Sequence, residues 1–111
     1  MRCLLKASIP VAEGNAAIAD GTLGPTINSI LSDLKPEAAY FAEDKGARTA
    51  FIFFNLENAS QIPAVAEPWF LAFNAHVEIH PAMNVEDLKN ATPGIESAVK
   101  KYAHAARAAR A

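Results

Sequence analysis

Four large apolar residues stand together in the stretch RTAFIFFNL: Phe51, Ile52, Phe53 and Phe54, with no polar break. Successive side chains on a strand point to opposite faces. Such a run therefore fits a strand with apolar surroundings on both sides, in the middle of a sheet. The rest of the chain has to supply that sheet's other strands and its cover. With 111 residues there is room for one domain, residues 1–111, and one core.

The segment RCLLKASI, ended by Pro10, reads as a first strand. Cys3, Leu5, Ala7 and Ile9 fall on one side, and Arg2, Leu4, Lys6 and Ser8 on the other. A helical stripe follows: Leu23, Ile27, Ile30, Leu31 and Leu34, with Pro25 tolerated in its first turn. Asp20-Gly21 breaks the preceding segment, so Asn15 to Ala19 is expected to be a separate turn. AAYFAED is a second strand, joined to the third by a short hairpin in which Gly46 can take positive φ.

Ser60 is expected to cap a helix with the stripe Ile62, Val65, Ala66, Trp69, Phe70 and Phe73. Pro68 predicts a break near Glu67, with a second helical piece beyond it. HVEIH is a fourth strand. Asn84 and Asp87 bracket a reciprocal cap. Thr92-Pro93 opens a last helix with the stripe Ile95, Val99, Tyr102 and Ala106. The order β-α-β-β-α-β followed by helices predicts an α+β fold of ferredoxin-like plan, an antiparallel sheet with helices on one face.

The other face of that sheet carries apolar residues and has no helix of its own. Small monomers rarely expose several hundred Å² of contiguous apolar surface. A second copy, sheet against sheet, is the expected remedy, so the chain is expected to be a homodimer. The alternative is that the last helix folds back over the open face.

The segments LKPEAAYF, RTAFIFF, IPAVAEPWFLAFNAHVEIHPAM and EDL carry a resemblance. They look like a group of small bacterial proteins in the dimeric α+β barrel superfamily, and the likeness runs nearly to Leu88. It implies a fold but no particular chemistry. The superfamily includes cofactor-free monooxygenases, muconolactone-type isomerases, haem proteins and plain ligand binders, and fold does not choose among them.

The chemistry-bearing residues form two groups. His76, Glu78 and His80 alternate along strand four. Same-face neighbours on a strand lie about 6.6 Å apart and the two histidines about 13 Å apart, so one metal cannot take all three. A third ligand would have to come from elsewhere, and no His- or Cys-rich segment offers one. No metal and no cofactor is expected. The plain reading is the polar side of an edge strand, discouraging stray pairing and meeting Arg2 and Lys6 across the first strand.

The functional reading makes the same face a pocket wall. His76, Glu78 and His80 are then the candidate catalytic groups, since a histidine is a ready acid or base near neutral pH. Arg2, Lys6, Tyr40 and Arg48 are candidate substrate-binding residues. Such a wall suits proton transfer on a small acidic or phenolic compound. The facing of Tyr40 and Arg48 depends on register, because a one-residue slip reverses every side chain.

The second group, Trp69 and Asn74 with Glu67 and Phe73, resembles the aromatic lining of superfamily monooxygenase cavities. Its plain reading is a core tryptophan and a helix-ending asparagine. The rival to any small-molecule function is a structural protein whose sheet face serves only dimerisation.

Other classes find little support. Net charge is −2, so no strong field attracts nucleic acid or membrane. Cys3 is the only cysteine and is expected to be a buried small hydrophobe. No apolar span approaches a membrane helix or a secretory signal, and a cytoplasmic protein is expected. There is no glycine-rich phosphate loop, G-x-S-x-G, CxxC or HExxH. Lys100, Lys101, Arg107 and Arg110 read as a solvated basic helix end.

Overall fold

The computed structural model describes residues 1–104. Four strands, β1 (Arg2–Ile9), β2 (Ala38–Asp44), β3 (Ala47–Asn55) and β4 (His76–Pro81), form one antiparallel sheet in the order β2-β3-β1-β4. Helices α1 (Val11–Ala19) and α2 (Leu23–Leu34) lie between β1 and β2 in sequence. Helix α3 (Ile62–Phe73) lies between β3 and β4, and α4 (Val85–Asn90) and α5 (Thr92–Ala98) follow. The fold is thus α+β, and its strand order is compatible with the ferredoxin-like plan. No helix among the described residues is long and apolar enough to cross a membrane.

The apolar run does sit at the centre, paired with β1 on one side and β2 on the other. Register sorts its side chains. Phe54 pairs with Cys3, Ile52 with Leu5 and Ala50 with Ala7. These six are buried and pack with Ile30, Trp69 and Phe73 of the helices. Phe51 and Phe53 point the other way and remain half-buried on the open face. The hairpin closes through Lys45 and Gly46, both at positive φ (52° and 79°). A two-residue loop of that hand matches the twist of the strands it joins, and it locks Asp44 opposite Ala47.

Several local expectations change. Asn15 to Ala19 is no separate turn: α1 is a nine-residue helix beginning directly after Pro10. Proline cannot donate an N–H, but the position before a helix asks for none. The first turn near residue 60 is capped by Asn58, not Ser60, through a capping box with Gln61. Helix α3 runs unbroken through Pro68. Val65 before the proline and Trp69 and Phe73 after it pack into the core, with Ala66 also buried, and this burial outweighs the lost backbone bond. Ile62 and Phe70 of its expected stripe stay exposed. The reciprocal cap of Asn84 and Asp87 forms as the sequence predicts, and α5 begins at Thr92.

The described part of the last helix does not blanket the open face. Tyr40, on that face, is 65% exposed, and Ile95, Val99 and Tyr102 are all more than half exposed. Ala106, Arg107 and Arg110 lie outside the described residues.

Leu5→Ala, which empties the fully buried centre of β1, is expected to cost about 2–5 kcal/mol. Pro68→Ala restores an N–H opposite the carbonyl of Ala64. It should stabilise by about 1–2 kcal/mol, the interior-proline penalty less the unfolded-state entropy that proline removes. Chemical denaturation of the two variants measures both.

Candidate functional site

The open face of the sheet can be read row by row from register. Across the four strands, Ala38, Phe53, Leu4 and His80 form one row. Tyr40, Phe51, Lys6 and Glu78 form the next, and Ala42, Thr49, Ser8 and His76 the third. The face has an apolar middle of Leu4, Phe51, Phe53 and Tyr40. Its β4 side carries two histidines and a carboxylate.

Two ion pairs frame that middle, and both join β1 to the β2 side across β3. Lys6 Nζ lies 2.5 Å from Asp44 Oδ2. The line between their register positions crosses β3 at Thr49, which is only 3% exposed although it stands on the open face. At the other end, Arg2 makes a two-pronged contact with Glu37, Nε to Oε2 at 2.7 Å and Nη2 to Oε1 at 2.8 Å. Planar bidentate geometry of this kind is among the stronger charged hydrogen bonds. Hydrogen bonding to Lys6 holds the Asp44 carboxyl below the ordinary aspartate range, and Arg2 does the same for Glu37. Both cations are raised in turn.

Glu78 is the hub of the β4 side. Its carboxylate lies 3.4 Å from His80 Nε2, 3.8 Å from His76 Nε2 and 3.9 Å from Lys6 Nζ. The alternating trio therefore shares one face, and the carboxylate stands between the two imidazoles. Both histidine side chains are solvent-exposed, at 76% and 58%. The arrangement places two imidazoles where each can pass a proton to or from a neighbouring molecule. Among the described residues, no group of three His, Cys, Asp or Glu side chains is arranged to hold a metal ion.

The remaining candidates are scattered. Tyr40 shares the face and the row of Glu78 but lies three strands away, about 14 Å at strand spacing. Arg48 is on the opposite face: it pairs with Ile9 and Glu43 in register, and its guanidinium reaches back to Asn15 Oδ1 at 3.1 Å. It therefore cannot share a pocket wall with His76 and His80. Arg2 turns to Glu37 rather than to β4, since Glu37 offers both carboxylate oxygens. Trp69 is fully buried beneath the helices, its ring centroid 6.1 Å from that of Phe73. Its Nε1–H meets no acceptor among the described residues, an uncompensated polar group in the core. Asn74 ends α3 in the left-handed conformation, with Nδ2 donating to Glu13 at 3.4 Å. Trp69 and Asn74 lie on the helix side of the sheet, away from the histidines.

Two members of the open-face network went unnamed at the level of sequence, Asp44 and Glu37. Asp44 was within reach: in AAYFAED it has the same parity as Tyr40. Glu37 lies just before its strand, where alternation carries no information. No family model matches the chain, and neither does any curated protein or solved structure.

The depressed carboxyls have a pH consequence. A group whose pKa is lowered on folding stabilises the fold above its unfolded value, and that contribution is lost as pH falls through the folded one. Thermal stability should therefore decline below about pH 4, the usual carboxylate range. The decline should be shallower in an Asp44→Asn/Glu37→Gln double variant, as melting curves across the acid range will measure.

Proposed function

We propose that two copies of this chain pair sheet to sheet as a dimeric α+β barrel with ferredoxin-like halves. The space between the sheets then holds a small acidic or aromatic compound. The observation that carries the reading is the apolar middle of the open face, Leu4, Phe51, Phe53 and Tyr40, which no helix among the described residues covers, bordered by His76, Glu78 and His80. An exposed apolar surface of this kind on a small domain is commonly a contact surface. Closure by a second copy excludes water from the middle and leaves the histidines at its margin. The exposed apolar side chains of Leu88, Ile95, Val99 and Tyr102 on the carboxyl-terminal helices also favour a partner of the same chain.

In this reading His76 and His80, on either side of Glu78, exchange a proton with the bound compound. Lys6 faces the same space and attracts an anionic or enolic group. The substrate is one whose acidic proton lies next to a carbonyl or on a phenol. Its transformation is proton transfer or cofactor-free oxygenation, carried out in the cytoplasm.

A second reading has an observation of its own. Both cations of this face, Arg2 and Lys6, already hold carboxylates of the same chain. A face whose charges are internally satisfied is also what a purely dimerising surface needs.

Sedimentation at micromolar concentration should give a dimer, and Phe53→Lys should give a folded monomer. A sedimenting monomer of the native chain would sink the barrel. A thermal-shift screen of aromatic acids and phenols separates the two readings. Binding between the sheets predicts a shift that His76→Ala and His80→Ala each diminish. No shift with any compound leaves dimerisation alone.

A further inference from the structure

On the helix side of the sheet, at the free edge formed by β2, the helices leave a cleft of about 370 Å³. That lies within the range of small-molecule sites, about 300–1,000 Å³. Its walls are apolar: Ile9 of β1, Leu23 and Ile27 of α2, Phe41 of β2 and Ala50 of β3. Phe41 is more than half exposed there although it points to the side that elsewhere forms the core. One cation, Arg48, and one carboxylate, Glu43, also stand at this wall.

Three features hold Arg48 in place without neutralising it. Its Nη2 donates to Asn15 Oδ1 at 3.1 Å, an amide oxygen without formal charge. Its guanidinium passes so close to α1 that a Cβ on Gly14 would come within 2.6 Å of Nη1. Glycine in a helix interior costs up to about 1 kcal/mol relative to alanine, so its presence there has a packing reason. The carboxylate best placed by register to pair with Arg48 is that of Glu43, directly across on β2. Glu43 instead accepts the N–H of Gly46 through Oε2 at 3.0 Å and serves the hairpin. No carboxylate among the described residues forms an ion pair with Arg48. A partly buried guanidinium thus stands at the wall of the cleft with donors that no carboxylate of the described residues takes up.

We propose that this cleft binds a small amphipathic carboxylate, an aryl- or alkyl-substituted acid. Its carboxylate pairs with Arg48, and its apolar body lies against Leu23, Ile27 and Phe41. The fork of N–H donors on arginine suits a carboxylate better than a neutral amide. The site is independent of the reading for the open face, because it lies on the other side of the sheet and needs one chain only.

The test uses the full chain with two probes, 4-phenylbutyrate and its neutral amide, titrated by calorimetry and mapped by backbone NMR. The acid should bind about tenfold more tightly than the amide, equivalent to one charged hydrogen-bonding contact. Shifts should cluster at Ile9, Leu23, Ile27 and Ala50. Arg48→Gln should erase the preference for the acid while leaving the amide unchanged, and Arg48→Lys should retain part of it. Gly14→Ala, which displaces the guanidinium, should weaken the acid alone. Ile27→Trp, which fills the cleft, should weaken both. Lys89→Gln, on α4, controls for loss of one positive charge and should change neither.

Three results overturn the proposal: no binding of the acid to the native chain, equal affinity for acid and amide, or an acid preference that survives in folded Arg48→Gln. Shifts confined to Leu4, Phe51 and Phe53 overturn it too, and would favour binding on the open face instead.

Discussion

The pairing of β1 with β3 is the contact on which everything else depends. Leu5 opposite Ile52, both without solvent exposure, sits at the centre of the sheet. One strand is amphipathic and the other carries the unbroken apolar run Phe51 to Phe54. Once Leu5 and Ile52 commit to the helix side, parity sends Arg2, Leu4 and Lys6, with Phe51 and Phe53, to the open side. A slip of one residue would turn Lys6 to the core side, at the large cost of burying an unpaired charge. The register is thus held by a charge that cannot go inside.

That assignment produces two different surfaces from one sheet. The open face is broad, has an aromatic middle and is tied laterally by ion pairs from β1 to the β2 side. Such exposed pairs contribute little to stability singly, but they fix where the charges stand around the apolar centre. The helix face holds the core, and at its β2 edge the cleft beside Arg48 is left. The two surfaces ask for different occupants. An apolar area with a charged frame suits a second protein surface, whereas an apolar cleft whose cation no described carboxylate pairs suits a small anion.

Strand four shows how much chemistry alternation alone can organise. His76, Glu78 and His80 share a face because the side-chain period is two, and pairing with β1 brings Lys6 to the same carboxylate. The sequence HVEIH therefore foretold a real cluster. It did not foretell that Arg2, four residues before Lys6 and of the same parity, would leave this cluster for Glu37. That choice depends on where β2 begins, which lies far away in sequence.

The amino-acid sequence by itself determined the strands, their order along the chain, the central position of the apolar run and the shared face of the β4 trio. These follow from periods of two and 3.6 and from prolines, glycines and caps, all of which act within a few residues. Only the tertiary structure decided the side of Arg48, the persistence of α3 through Pro68 and the partners of Lys6 and Arg2. In Phe51-Ile52-Phe53-Phe54 both parities are apolar, so the run is silent about which face Arg48 takes until the Lys45-Gly46 hairpin and the pairing with β1 are in place. Pro68 is a helix breaker in isolation. Packing of Val65, Trp69 and Phe73 into the core overrides it, because contacts between distant segments outweigh one missing backbone hydrogen bond.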